Sequence, residues 1–282
     1  MLGYKYRAIN KYSLETLTNN TVYFSKYTDF NDPFEFSTPF PDLKRMYTEV
    51  SIGIDRLLAQ KTISNENHKH LKKICLIIIE EKSSSLDKIH KKIKQTLETT
   101  GVYSLSKTND EILMWSHYAD NHKGFCIGFE NLHQNTIPVT KPLPINYTDQ
   151  YTDLSSPALI LEFYKKMYGQ YISLPDALWK KKYLELGKEI KLLDDQRGGI
   201  AVLTDKYEKW SYEQEFRLID QKGFGLRPFN STCLKTITFG LRTSSHDIET
   251  IVSICKNKKT NIEFYMTQKD KNTFALKVIR ID

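Results

Sequence analysis

The sequence predicts a mixed α+β protein in which one strand-rich frame is interrupted by two helical insertions. Short segments rich in β-branched and aromatic residues occur near both ends of the chain and in its middle. Between them lie long helical stretches, at about residues 43–100 and 155–200. Because strand segments flank each stretch, we predict a single domain over residues 1–282 with two insertions, and not a string of independent domains.

Each element follows from a local signal. Alternating β-branched and aromatic residues predict strands at Tyr4–Ala8, Thr21–Ser25, Gly101–Lys107, Phe125–Phe129, Leu234–Phe239, Ile262–Thr267 and Phe274–Ile281. Residues that cap helices predict helix starts at Ser13, at Thr108 with Glu111 completing a capping box, and at Ser244 before residues 245–256. Between the second strand and the first insertion, the Asp32-Pro33 step predicts a structured loop over Asp29–Glu35.

Composition excludes several classes of protein. Hydrophobic residues make up 40% of the chain and charged residues 27%, with 12 Gly and 9 Pro, which excludes collagen-like and wholly disordered chains. The apolar segment Ile74–Ile79 falls far short of the roughly 18 residues that a membrane span needs. Residues 1–7 lack a basic patch followed by an apolar stretch, so we expect a cytoplasmic protein without membrane attachment. The net charge of +7 identifies no partner by itself.

Three motifs combine polar and aromatic residues. They are Tyr23–Ser25 continuing through Phe30–Glu35, then Met114–Gly124, then Trp210–Arg217, with Tyr4–Arg7 in front of them. This ordered set, which spans nearly the whole chain, resembles the bacterial family called domain of unknown function 2971. The family name implies no activity.

A more distant resemblance implies chemistry. In ADP-ribosyltransferases an Arg or His on a first strand is followed by an aromatic-Ser or aromatic-aromatic motif and by a late Glu on a strand. Here Tyr4–Arg7 and Val22–Ser25 look like the first two pieces, and Glu213–Ile219 looks like the third. The resemblance implies an ADP-ribosyltransferase-like mixed β-core, NAD as substrate, and a nucleic acid or a protein as acceptor. It also implies that the protein acts as a toxin or phage-defence effector and has an antitoxin or another defence protein as partner.

The chemistry of that reaction assigns roles to the matching residues. Cleavage of the nicotinamide–ribose bond develops positive charge on the ribose, which a carboxylate stabilises, and Glu215 is our candidate. Glu213, two residues earlier on the same predicted strand, would lie beside Glu215 and activate the acceptor. Proximity of the two carboxylates should raise the pKa of one of them. Arg7 suits the pyrophosphate or a ribose, and Tyr23 or Phe24 would stack on nicotinamide. The predicted cofactor-binding set is completed by Tyr6, Ser25, Asn31, Trp115, His117 and Tyr118.

Alternatives remain open at this stage. Glu213, Glu215 and Arg217 could form the solvent-facing side of an edge strand, and Arg7 could pair with Asp32 or Glu35.

As a whole, the chain could be a non-catalytic module that binds nucleic acid or a ligand through the lysines between Lys69 and Lys94. It could also be a metal-dependent nuclease that uses Glu213, Glu215 and Asp120. We predict no metal site, since the spacing of His117 and His122 does not place both on one helical face.

Overall fold

The computed structural model describes residues 2–37, 43–73, 91, 93–135, 141–151, 200–258 and 260–281. Nearly all of the predicted insertion at 155–200, and residues 74–90 of the first, lie outside the described residues. The chain divides into two compact units. One consists of residues 1–36, 96–149 and 204–282, and the other of residues 37–95 and 150–203. The single-domain assignment stays a prediction.

The described residues of the first unit form twelve strands. They are β1 (Leu2–Arg7), β2 (Thr21–Phe24), β3 (Gly101–Ser106), β4 (Phe125–Glu130), β5 (Leu143–Pro144), β6 (Asn146–Thr148), β7 (Asp205–Tyr207), β8 (Glu215–Asp220), β9 (Gly225–Pro228), β10 (Leu234–Phe239), β11 (Glu263–Lys269) and β12 (Leu276–Arg280). The helices with both ends described are α1 (Lys11–Asn19), α2 (Leu43–Ala59, in the second unit), α3 (Ile112–Tyr118), α4 (Leu132–Asn135) and α5 (Ser245–Lys256). Residues 65–73, 93–98 and 200–204 are also helical. Short 3-10 helices occur at Tyr27–Asp29, Glu208–Glu213 and Ser231–Cys233. The prediction of a mixed α+β protein is confirmed.

Eight strands form one mixed sheet in the order β12-β11-β10-β4-β1-β3-β8-β5. All neighbours in it are antiparallel except β10 and β11, which are parallel. Strands β2 and β9 pair in a separate two-stranded sheet, and β6 pairs with β7 in another. The first strand of the chain therefore lies near the middle of the large sheet.

The large sheet opens on one side of β1. Along its whole length β1 pairs with β4, from Leu2 to Arg7, but its pairing with β3 is restricted to Tyr4 opposite Ser106. Beyond that pair the Lys5 side chain reaches across, and its Nζ donates a hydrogen bond to the Ser104 carbonyl at 2.9 Å. The splaying of β1 from β3 leaves room for a cleft within the sheet.

Apolar side chains cover both faces of this sheet. In one core cluster, Leu105, Ile127 and Ile237 of the large sheet pack with Leu17 of α1 and Ile251 of α5. On the other face Trp115 of α3 is fully buried, with its ring edge-on to Tyr6 at 5.1 Å between centroids. Among the described residues, no helix has both the length and the apolar character needed to cross a bilayer.

Three of the predicted helix starts can be compared with the structure. The Ser244 cap of α5 is confirmed, since its side chain accepts from the Asp247 backbone N–H. The other two predictions were wrong in detail. Asn10 caps α1, with Ser13 completing a capping box, and Glu111 caps α3 by accepting from Leu113 N–H. In both cases a side chain with the required oxygen lies within three residues of the predicted cap, and the local backbone selects between them.

Candidate functional site

A cleft of about 410 Å³ lies at the opening between β1 and β3. Its size is within the range of roughly 300–1,000 Å³ that is typical of small-molecule sites. Seven of the residues predicted for the site line it: Tyr6, Ser25, Asn31, His117, Tyr118, Glu213 and Glu215. They come from distant parts of the chain, so the fold brings the three polar-aromatic motifs together at one place.

Four predicted site residues are not part of the cleft lining. On β2, Tyr23 is 43% exposed and lies opposite Leu226 of β9, while Phe24 is fully buried and contacts Tyr103. Side chains alternate between the two faces of a strand, so these two residues face opposite directions and neither contributes to the lining. Trp115 is fully buried in the core. Arg7, at the end of β1, has no ion pair among the described residues.

The polar end of the cleft is a buried charge cluster of Lys206, Arg217, Glu35, Glu213 and Glu215. Lys206 Nζ lies 3.0 Å from Glu35 Oε1 and 2.9 Å from Glu215 Oε2, and it also donates to Glu213. Arg217 Nε donates to Glu215 Oε1 at 2.7 Å, and its Nη2 donates to Glu35. The alternative that Glu213, Glu215 and Arg217 form the solvent-facing side of an edge strand is wrong, because all three are less than 9% exposed.

Local backbone geometry places the two cleft glutamates. Glu215 lies on β8 opposite Ser106 of β3, and its backbone N–H donates to the Tyr147 hydroxyl at 2.7 Å. Glu213 is not on that strand, contrary to the prediction, but ends the 3-10 helix Glu208–Glu213. Gln214 follows in the left-handed conformation, with φ of 44°, so the chain turns between the two glutamates. The Ser106 hydroxyl donates to the Glu213 carbonyl at 2.7 Å and fixes this turn. The two glutamates are therefore brought together by their shared contact with Lys206, and not by lying two residues apart on one strand.

The pKa values of the two glutamates move in opposite directions. Burial raises the pKa of Glu213, and the Glu215 charge adds to that rise while Lys206 opposes it. Burial acts in the same sense on Glu215, but Arg217 and Lys206 outweigh it and lower the pKa of Glu215. Lys206 has its pKa raised, since three carboxylates overcome the effect of burial. The site therefore holds one carboxylate that stays ionised and a neighbour that takes up a proton more readily.

Tyr118 connects α3 to this cluster. Its hydroxyl donates to Glu213 Oε1 at 2.6 Å, and burial, followed by the Glu213 charge, raises the pKa of the phenol. The Asn31 side chain acts to lower that pKa, and the His117 ring lies 6.3 Å from the rings of both Tyr118 and Tyr212. Asn31, His117 and Tyr118 thus line the cleft together with Glu213.

The end of the second motif is a left-handed turn. Asp120, Asn121 and His122 all have positive φ, between 46° and 69°, before Gly124. Asp and Asn tolerate this conformation better than most residues, which accounts for their place in the motif. The turn places the His122 ring nearly parallel to the Trp115 ring. His122 is not part of the cleft lining, whereas His117 is. Among the described residues no three His, Cys, Asp or Glu side chains form a group that could hold a metal ion.

The predicted site residues do not include Lys5, Lys206, Glu35 or Arg217. Lys5 and Lys206 line the cleft, and Glu35 completes the cluster by pairing with Arg217 and not with Arg7. Lys5 belongs to the segment Tyr4–Arg7, from which the sequence analysis selected Tyr6 and Arg7 but not Lys5. Lys206 lies outside all three motifs, so no local pattern distinguishes it from the other lysines of the chain.

Comparison with known proteins gives one match. A family model described as "Protein of unknown function (DUF2971)" matches residues 114–218. The predicted resemblance to the DUF2971 family is confirmed. The matched DUF2971 segment contains the second and third motifs, and with them Tyr118, Glu213 and Glu215. No curated protein and no solved structure matches the chain.

Proposed function

We propose that the cleft binds NAD, cleaves the nicotinamide–ribose bond and transfers ADP-ribose to a nucleic acid or a protein, in the role of a toxin or phage-defence effector. One observation carries the proposal. Two glutamates with oppositely displaced pKa values line a single cleft of small-molecule size. Displaced pairs of this kind typify sites where one carboxylate stabilises charge and the other moves a proton. The opening of the sheet beside its central strand also suits an ADP-ribosyltransferase-like core.

Glu215 is the residue suited to the developing ribosyl cation. Arg217 and Lys206 keep it ionised and hold its carboxylate in one orientation. A fixed anion that needs no reorganisation stabilises a transition-state cation better than a mobile one. Since an ionised carboxylate offers about four lone-pair sites, Glu215 can still accept a hydrogen bond from a ribose hydroxyl.

Glu213 is the residue suited to activating the acceptor. Its raised pKa brings it closer to neutral pH, where a general base is most effective. Tyr118 and Lys206 hold one oxygen each, which fixes the carboxylate toward the cleft.

Arg7 and Tyr23 do not line the cleft, so we assign the roles predicted for them to residues that do. The ring of His117 replaces Tyr23 as the surface for nicotinamide, and the Asn31 side chain supplies polar contacts.

The test measures NAD binding by calorimetry and nicotinamide release by chromatography, with labelled NAD and cell extract as the source of acceptors. Wild type should bind NAD, release nicotinamide and label an acceptor, with or without a chelator. Glu215→Gln should lose release by about a hundredfold or more, in the range of a lost charge-stabilising group. Glu130→Gln makes the same chemical change at a half-exposed carboxylate and should match wild type.

Three results would overturn the proposal. They are absence of NAD binding, binding without release of nicotinamide, and equal release by wild type and Glu215→Gln. Loss of activity on chelation would instead favour a metal-dependent reaction. Because Glu215→Gln alters a buried cluster, its thermal unfolding is measured beside wild type. Tyr118→Phe, which keeps the ring and the cluster charges, provides a second variant that should also slow release.

A further inference from the structure

Two lysines line the cleft, and their surroundings differ. Lys206 Nζ contacts three carboxylates. Lys5 Nζ donates to the Ser104 carbonyl at 2.9 Å, and among the described residues it has no carboxylate within ion-pair distance. An ammonium group has three N–H donors to satisfy, whereas an amine can make this one bond and keep its lone pair for another partner. The contacts of Lys5 therefore suit the uncharged form.

Burial and the two positive charges around Lys5 act in the same direction. Burial lowers the pKa of Lys5 to about 7, and Arg7 and Lys206 add to the effect, while Glu215 and Glu213 oppose it. The ring of Tyr103 also lies close to Lys5, with its centroid 4.9 Å from Nζ. The carboxylates of Glu213 and Glu215 form their ion pairs with Lys206. They therefore stabilise the charge of Lys206 and form no ion pair with Lys5 among the described residues.

We propose that Lys5 is a nucleophile of the cleft and that its amine condenses with the aldehyde group of a ligand to form an imine. The nitrogen lone pair attacks the carbonyl carbon to form a C–N bond, and the carbonyl oxygen takes up a proton. That oxygen takes a second proton and leaves as water, while the nitrogen loses two protons to give the neutral imine. Glu213, whose pKa is raised, lines the same cleft and can supply the proton for the departing hydroxyl. The step needs no oxidant, reductant or cofactor, and it stands apart from the proposed reaction on NAD.

The experiment traps the imine on the full-length wild-type protein. Limiting glyceraldehyde and cyanoborohydride are added at pH 7 without NAD, and modified lysines are quantified by peptide mass spectrometry. At pH 7 about half of Lys5 would be uncharged, against about 1 in 2,500 of a lysine with the usual pKa near 10.4. We expect Lys5 to be modified at least about tenfold faster than Lys11, whose side chain is 81% exposed. Lys206 should stay unmodified.

The comparison among lysines is made within one folded protein, so it does not depend on a variant that folds. Modification of Lys11 at pH 7 as fast as that of Lys5 would overturn the proposal. So would a Lys5 rate that keeps rising tenfold per pH unit from pH 7 to pH 9, as expected for an ordinary lysine. Lys5→Arg should abolish the fast modification, and Lys11→Arg should leave it unchanged. Since trapping requires no NAD and nicotinamide release requires no aldehyde, either proposal can fail while the other stands.

Discussion

Removing the cation at the centre of the buried charge cluster should destabilise the fold strongly. In Lys206→Met, a side chain of similar length keeps the volume and loses the charge that contacts Glu35, Glu213 and Glu215. At about 3 Å and an effective dielectric of about 20, each such contact is worth roughly 5–6 kcal/mol before desolvation is subtracted. Desolvation of the ammonium removes several kcal/mol, and loss of one partner from a buried ion pair typically costs about 3–5 kcal/mol. We expect a fall of that size in the free energy of unfolding at pH 7.

The destabilisation should also depend on pH. In wild type the folded-state pKa of Glu215 is lowered, so this group adds stability above its unfolded pKa, and that stability is lost as pH falls toward the folded value. Without Lys206 the pKa values of Glu215 and Glu213 both rise, and protonation relieves the unpaired charge. The difference between wild type and Lys206→Met should therefore shrink from pH 7 to pH 4.5.

Urea unfolding followed by circular dichroism at both pH values measures this difference. Lys209→Met is the matched control, because Lys209 is three residues away, has a side chain that is 73% exposed and forms an ion pair with the exposed Glu208. Surface substitutions of this kind usually change stability by less than about 0.5 kcal/mol. A stabilising role for the Lys206 charge is contradicted if Lys206→Met unfolds like Lys209→Met, or if its loss of stability is the same at both pH values.

Two further predictions concern Tyr118 and Gly124. Tyr118→Phe removes the hydroxyl that donates to Glu213, so the unfolding free energy should fall by about 1–2 kcal/mol and the pKa of Glu213 should rise further. A side-chain NMR titration measures the pKa, Tyr12→Phe at an exposed position serves as control, and an unmoved titration would show that this bond has no influence. Gly124→Ala would bring Cβ to 2.1 Å from the Arg7 carbonyl oxygen, so the chain must shift at a cost of about 1–3 kcal/mol or more. Thermal unfolding checks this, and a wild-type melting temperature would contradict it.

Most strands of the large sheet and the family resemblance were accessible from the sequence. The β10 strand and the α5 helix have the predicted bounds, and the predicted strand ends elsewhere differ by a few residues. These segments combine β-branched alternation or a serine cap with clear turn residues, so local signals agree with the final packing. The local placement of Glu213 was wrong, because nothing in Trp210–Arg217 distinguishes a 3-10 turn from the start of a strand.

The surroundings of the predicted site residues could not be derived in the same way. Tyr23 lies in a motif beside Phe24 and Ser25, yet strand alternation and pairing with β9 leave it facing solvent. Ser25 lines the cleft because it lies just past the end of β2, where it bridges to Val102 of β3. Which residue of a short motif faces the site depends on the register of strands that are distant in sequence.

The sequence by itself determined the α+β class, the order of most strands and helices, the family resemblance, and the choice of Glu213 and Glu215 as the residues to examine. Only the tertiary structure decided that β1 separates from β3, that Lys206 lies between the two glutamates, and that Lys5 faces the same cleft without a carboxylate partner. The physical reason is the separation along the chain over which each kind of interaction acts. Capping, turns and alternation act over a few residues, whereas the pKa of a buried group depends on every charge packed against it, wherever that charge lies in the chain.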